Sequence, residues 1–292
     1  MYSKIASQYF RNLNPFIARK LKKTLVYPRY YRSLWLGRLN YKKYKDQYKQ
    51  NILFVAGLPK SGTTWMENML SSYPGFVSLM PFQVTGHEMK HKSSCEYDFP
   101  EKMFKPLNKG LYVLKMHSHG SKHNIHLLEE NNICYCVIYR DLRDAAVSHT
   151  FYVRSTPWHP EYPDYQNLNV KQGLRYFYET RLEEWSQWIR SWRENRNPEH
   201  SMEISYEELL SGSFSTFRNV AQFFDLNDSE EQIKSILKRH KFRKMKSKKD
   251  LFFRKGISGD WKNYFDEEIK NLYKKKISHL LIELGYEKDT NW

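Results

Sequence analysis

Short apolar runs cut by glycine, proline and polar breaks set the rhythm of this chain. Residues 52–56, 111–114 and 133–139 are continuous apolar, β-branched or aromatic runs, the pattern of strands buried on both faces of a parallel sheet; 201–205 reads as a fourth strand. Between and after them the apolar period lengthens to that of helices, over roughly 63–72, 170–195, 214–225, 229–241 and 266–286. The longest of these carries Leu174, Phe177, Tyr178, Leu182, Trp185, Trp188, Ile189 and Trp192 as a stripe for core packing. Proline and glycine interrupt 73–110 and 153–169, which read as irregular loops beside a binding site. Near the amino end, Ile5, Phe10, Leu13, Ile17, Leu21 and Leu25 recur at near-helical spacing, and Pro15 is expected to kink or restart that helix. Strands alternating with helices predict an α/β fold of three layers, a central parallel sheet flanked by helices, with right-handed crossovers. The expected organisation is a basic N-terminal arm over 1–50 and a single domain over 51–292.

The 292 residues are 40% hydrophobic, enough for one good-sized core or at most two. No run of eighteen apolar residues occurs, so no transmembrane helix is expected, and the N-terminus lacks the apolar stretch of a secretory signal. Of three cysteines, Cys95 is isolated, while Cys134 and Cys136 alternate along a strand; this reads as a reduced, cytoplasmic protein with buried thiols. The net charge of +16 sits in two patches: residues 1–50 hold thirteen Lys/Arg against the single acid Asp46, and 234–255 hold eleven against Asp250. The first patch fits a leader lying on an anionic membrane surface, or an arm packed on the core with its lysines solvated; its interrupted apolar face favours the packed arm. No nucleic-acid module accompanies the charge, so no nucleic-acid partner is expected.

The densest chemistry lies in 51–70, NILFVAGLPKSGTTWMENML. A strand, a loop held by Gly57 and Gly62, and a helix N-terminus together make an anion site, because backbone N–H groups and the positive end of the helix dipole converge there. The spacing is that of the phosphate loop G-x-x-x-x-G-K-[ST], with Thr64 at the Ser/Thr position. Thr63 stands where the lysine belongs, and Lys60 comes three residues earlier. That placement favours a nucleotide with one phosphate in the loop and a transferable group beside Lys60. Lys115 and His117 end the second strand with side chains on one side, at the sheet edge where ligands bind. His119, His123 and His126 follow closely, while no interleaved acid or thiol makes them a zinc set. His87 and His91 are read as surface histidines on one helix face. After the third strand come Arg140, whose guanidinium carries forked donors, and Ser148 eight residues later. Asp141 and Asp144 read as ordinary acids of a helix N-terminus, with Arg143 paired to them. Glu183 and Glu184 are weak candidates for auxiliary acids.

These stretches together resemble the cytosolic-type sulfotransferases, which take a sulfuryl group from 3′-phosphoadenosine 5′-phosphosulfate (PAPS). The resemblance rests on Lys60-Ser61-Gly62-Thr63-Thr64-Trp65, Lys115-x-His117, Arg140 with Ser148, Tyr206-Glu207-Glu208, Phe242-x-x-Met245, and Arg254-Lys255-Gly256 followed by Gly259-Asp260-Trp261-Lys262. It covers roughly 50–285 and leaves the arm outside. It implies a P-loop-like fold, His117 as general base, Lys60 on the leaving group and Lys115 at the sulfuryl oxygens. It further implies that Ser61, Gly62, Thr63 and Thr64 hold the 5′-phosphate, that Arg140, Ser148, Arg254, Lys255 and Gly256 hold the 3′-phosphate, and that Trp65, Tyr206 and Phe242 flank adenine, with no metal required. The family's Lys-x-x-x-Thr-Val-x-Glu dimer segment is missing near the carboxyl end, leaving the oligomeric state open. The acceptor is expected to be a small molecule; aromatics in 76–112 and 150–180 suit an apolar or aromatic alcohol, with an amine, a sugar or a lipid head group also open. The alternatives are a nucleotide kinase or NTPase with a degenerate phosphate loop, and a basic module that binds nucleic acid or membranes.

Overall fold

The structure, a computed structural model, describes residues 13–240 and 256–292. Its centre is a sheet of five parallel strands, β1 (Ile52–Gly57), β2 (Val77–Leu79), β3 (Tyr112–Met116), β4 (Tyr135–Tyr139) and β5 (Ser201–Ser205), in the order β2-β3-β1-β4-β5. Successive side chains on a strand face opposite ways, and the burial follows that rule. Phe54, Ala56, Leu114 and Val137 enter one apolar cluster with Phe177, Trp185, Trp188, Trp192 and Tyr273. Leu53, Val55, Val113, Cys136 and Ile138 enter the other, with Met66, Met69, Phe217, Val220 and Ile233. Two cores on the two faces of one sheet are the three layers expected.

The helices in chain order are α1 (Pro15–Tyr44), α2 (Thr63–Leu70), α3 (Phe82–His91), α4 (Lys122–Glu130), α5 (Leu142–Arg154), α6 (Tyr162–Tyr165), α7 (Val170–Thr180), α8 (Leu182–Asn195), α9 (Tyr206–Ser211), α10 (Ser213–Phe223), α11 (Glu230–Arg239) and α12 (Glu267–Glu283). In α1, Pro15 takes the first helical position and Asn14 accepts the Phe16 amide at 2.9 Å. Pro15 therefore starts a helix, where its missing N–H costs nothing. The arm does pack on the domain: Asn40 donates to the Gly75 carbonyl at 2.9 Å, and the Tyr112 hydroxyl donates to the Leu34 carbonyl at 2.7 Å.

Three expectations need correction. Residues 73–110 are not wholly irregular, since they supply the edge strand β2 and the helix α3. A three-residue strand between Gly75 and Pro81 has too few positions to display a period, and Gly86 weakens the helical signal of α3. The single helix expected over 170–195 is two, broken at Arg181 (φ −129°). There the guanidinium turns in to donate to Glu161 and Glu184, both at 2.7 Å, an ion network that no apolar periodicity reports. The loop over 153–169 contains the one-turn α6.

The strand register positions the site. Ala56 pairs with Met116 and Gly57 with Ile138, so the carboxyl ends of β3, β1 and β4 stop level and side by side. The loop after β1, His117 after β3 and Arg140 after β4 thus open onto one edge, the crevice where such sheets bind ligands.

Candidate active site

The loop after β1 is folded by its own carbonyls and by one from β4. The Leu58 amide donates to Ile138 O at 2.9 Å, and the chain then reverses through Lys60 (φ 68°) and Gly62 (φ 83°), both left-handed. The Ser61 hydroxyl is shared between Leu58 O (2.6 Å) and Ile138 O (3.0 Å), so it braces the loop against β4. Gly62 caps α2 without a side chain, and Trp65 N and Met66 N bond back to its carbonyl. The Thr63 and Thr64 amides belong to the first turn of α2, whose N–H groups have no intrahelical acceptor, and these are the donors of an anion site. A Cβ at Gly57 would lie 1.6 Å from Thr63 Cγ2. Gly57→Ala is expected to push Thr63 and the first turn out of place, destabilising the fold by about 1–3 kcal/mol or more in urea denaturation.

The same Gly57 orients the histidine. Its carbonyl oxygen is 2.5 Å from His117 Nδ1. A carbonyl can only accept, so Nδ1 carries the ring proton and Nε2 keeps its lone pair. Burial lowers the His117 pKa to about 4, helped by Lys115 and Lys60 and opposed by the Gly57 hydrogen bond and Glu88. The imidazole therefore stays neutral well below the pH at which an unperturbed histidine takes up its proton. The histidine's own backbone carbonyl and the next are held by tryptophan: Trp188 Nε1 donates to His117 O at 2.7 Å and to Ser118 O at 2.9 Å. The rival histidines are engaged elsewhere, His119 with Asp98 at 2.9 Å and His123 with Phe99 O at 2.8 Å, while His126 is exposed. His87 and His91 stack on each other along α3.

Lys115 reaches across to α2, with its ammonium 3.4 Å from Thr64 Oγ1 and 3.8 Å from Glu67 Oε2. Lys60 Nζ lies 3.9 Å from the centre of the Tyr152 ring, a cation–π contact from α5 that no motif signals. Beside them Glu88 on α3 is 3.8 Å from Lys22 on α1. Burial would raise the Glu88 pKa, yet Lys22, His159, His117 and Lys115 together hold it below the usual carboxylate range. His159 accepts the Glu161 amide at Nδ1 (3.2 Å), so its proton sits on Nε2; burial and then His149 lower its pKa to about 3. Polar groups thus flank His117, whereas Phe99, Phe104, Tyr112, Tyr165 and Phe177 from the two aromatic stretches are consumed by core packing. Glu184 is taken by Arg181, and Glu183 accepts from Gln187 at 2.9 Å.

Arg140 leaves the end of β4 buried, its guanidinium 4.2 Å from the centre of the Tyr206 ring. It donates to Lys60 O (3.4 Å), Asp144 Oδ2 (3.3 Å) and Ile257 O (2.9 Å). Its Nε is buried with no hydrogen-bond acceptor among the described residues, and so is Nε1 of Trp65. Tyr206 also closes on the loop, since a Cβ at Gly62 would lie 2.8 Å from its ring. Asp144 departs from expectation. It is an acid of the first turn, as expected, but not an ordinary one: it is wholly buried and accepts the amides of Gly259 (2.7 Å) and Trp261 (2.8 Å). Burial raises its pKa, against the pull of Arg140. Asp141 is the N-cap, accepting Arg143 N at 2.9 Å. Arg143 pairs with Asp141 and Glu287 and stacks between Trp261 (3.9 Å) and Trp292 (4.5 Å). Ser148 lies buried on α5, and Gly256 has φ 67°. Phe242, Met245, Arg254 and Lys255 fall outside the described residues.

The loop amides, Lys60, Lys115, His117, Arg140 and Tyr206 are thereby gathered at one sheet edge, where Arg140 Nε and Trp65 Nε1 are buried without a hydrogen-bond partner among the described residues. Comparison with known proteins agrees with this reading. Residues 50–285 match the sulfotransferase domain family. Sulfotransferase 2A1 of Macaca fascicularis is 26% identical over 282 residues, 83% of this chain and 90% of that protein. The guinea-pig (Cavia porcellus) 3-beta-hydroxysteroid sulfotransferase is 29% identical over 167 residues, 50% of this chain and 56% of its own length. Among solved structures, mouse sulfotransferase SULT7A1 complexed with PAP, the desulfated product of PAPS, superposes with a TM-score of 0.61 at 20% identity, over 86% of this chain and 95% of that one. The fold, the motifs at its ligand-binding edge and the family match converge: this chain belongs to the sulfotransferase family and is a sulfotransferase.

Proposed function

We propose that the enzyme moves a sulfuryl group from PAPS to a hydroxyl or amine of a small acceptor, with His117 as base. The observation that carries this reading is the Gly57 O···His117 Nδ1 contact, which fixes the tautomer whose Nε2 accepts a proton at the mouth of the phosphate loop. In the step, the acceptor oxygen or nitrogen forms a bond to sulfur as Nε2 takes its proton. The bond from sulfur to the 5′-phosphate oxygen breaks, and its electron pair stays on that oxygen, where Lys60 stabilises it. Lys115 faces the sulfuryl oxygens. The amides of Thr63 and Thr64 hold the 5′-phosphate; Arg140, Ser148, Gly256 and, beyond the described residues, Arg254 and Lys255 hold the 3′-phosphate; Trp65, Tyr206 and Phe242 enclose adenine. Lysines and helix amides supply the positive charge that a metal supplies in nucleotide kinases. The polar groups beside His117 suit an acceptor bearing further polar groups better than a bare hydrocarbon alcohol. A cytoplasmic location, where PAPS and thiols such as Cys95 coexist, completes the proposal.

Transfer of labelled sulfate from PAPS onto a mixed acceptor library tests it directly. ATP hydrolysis in place of transfer, with no affinity for PAP, would overturn it. Lys60→Ala is expected to lower turnover by about two powers of ten or more, the cost of losing a preorganised donor at a developing charge, with little change in PAP affinity. Single-turnover transfer against PAP titration separates the two.

A further inference from the structure

We propose that α1 is a docking surface for anionic phospholipid bilayers, laying the enzyme on a membrane with its active-site edge alongside. Of nine exposed large hydrophobic residues among the described residues, eight lie on this one helix: Phe16, Ile17, Leu21, Leu25, Tyr27, Tyr31, Trp35 and Leu39. Monomer surfaces scatter such residues singly, and a concentration of this kind marks an interaction site. At about 100° per residue, Ile17, Leu21, Leu25, Tyr31, Trp35 and Leu39 fall within an arc of about 120°. Ala18, Tyr30, Ser33 and Leu34, the side chains that α1 buries, lie on the opposite side. The packed face and the apolar stripe therefore lie on different sides of α1, although Tyr31 also meets the buried Tyr30 ring edge-on at 5.3 Å.

The charge selects the occupant. Between Pro15 and Tyr44 there are nine Lys/Arg and no acid. Lys20, Arg29, Arg32, Arg38, Lys42 and Lys43 are exposed along or beside the stripe. Exposed tryptophan, tyrosine and leucine among long cationic side chains match the boundary between acyl chains and anionic head groups, where apolar tips enter and ammonium and guanidinium groups stay at the phosphates. A second copy of this chain is a poor occupant, because a two-fold contact sets the same cationic patch against itself. Nucleic acid satisfies the charge but leaves the apolar stripe without a use. No helix among the described residues is long and apolar enough to cross a membrane, so the contact proposed is with the surface. The helix is continuous with the site through Lys22, paired with Glu88, which acts on His117.

The test is flotation of the full chain with vesicles of phosphatidylcholine alone or mixed with phosphatidylglycerol, with no donor or acceptor present, so its outcome is independent of the sulfuryl-transfer reading. Binding to the anionic vesicles, weakened by salt and at least about ten-fold above neutral ones, is expected. The double variant Trp35→Ser/Leu39→Ser keeps every charge and touches neither the loop nor His117. It is expected to lose about ten-fold or more of the partitioning while PAP affinity and the circular dichroism spectrum stay unchanged. Equal binding to both lipids, no binding, or full binding by the variant, which would assign the effect to the basic patch at 234–255, overturns the proposal. So does a concentration-dependent dimer in the parent that the variant abolishes.

Discussion

His117→Ala is expected to lower sulfuryl transfer by about three powers of ten, in the range lost with a general base, while PAP binds within a few-fold of its original affinity. The two readouts part because Nε2 is the nitrogen proposed to take the acceptor's proton, whereas Nδ1 is held by Gly57 O. Added imidazole is expected to restore part of the turnover, since the variant loses the ring and gains a cavity of its size. Loss of both transfer and PAP binding would make His117 a structural brace of the loop. The pH profile adds a second check. With the imidazole lowered to about 4, mainly by burial, the acid limb of kcat/KM is expected near pH 4 and not near 6.5. The same shift has a consequence for stability, whose sign is fixed. An imidazole with a depressed folded pKa binds fewer protons when folded, so stability is complete above the unfolded pKa and is lost as pH falls through 6.5 toward 4. His159, lowered to about 3, acts in the same direction. Each contributes a slope of up to about 1.4 kcal/mol per pH unit over that window, so urea midpoints are expected to fall from pH 7 to pH 5, less steeply in His117→Ala.

Asp144→Ala is expected to weaken PAP binding by about two to three powers of ten, appearing in the KM for PAPS more than in kcat. The carboxylate does three things at once: it holds Arg140 at 3.3 Å and it takes the amides of Gly259 and Trp261 at 2.7 and 2.8 Å. Removing one partner of a buried pair costs about 3–5 kcal/mol because the other charge and the amides stay buried without it. Here those groups are the guanidinium proposed to face the 3′-phosphate and the segment that follows Gly256. Asp144→Asn keeps an acceptor for one amide and is expected to lie between the two. Unchanged PAP titration in a folded Asp144→Ala protein would show that the segment after Gly256 has no part in nucleotide binding.

Much of the site was legible because it is local in sequence. A strand, two glycines five apart and a helix start, 52–70, need only near neighbours to form their geometry, and so the phosphate loop, Lys60 and the end of β3 at Lys115 and His117 could be read directly. The position of Arg140, at the end of a buried strand, was legible for the same reason. Asp144 was misjudged because its function depends on residues more than a hundred positions away, although its place four residues after Arg140 was a usable signal. The Tyr152 ring over Lys60 and the Lys22–Glu88 pair are likewise contacts between distant segments. In the fold, β2 and the break at Arg181 escaped notice: one has too few residues for a period, and the other is imposed by ion pairs.

By itself the sequence determined the sheet and the turn of the loop between β1 and α2, because alternating burial and backbone turns are encoded residue by residue. Only the tertiary structure decided which histidine points at the loop, which nitrogen carries its proton, which acid anchors the segment after Gly256, and that α1 shows the solvent its apolar side. Those depend on the distance between segments far apart in the chain, and periodicity carries no information about that distance.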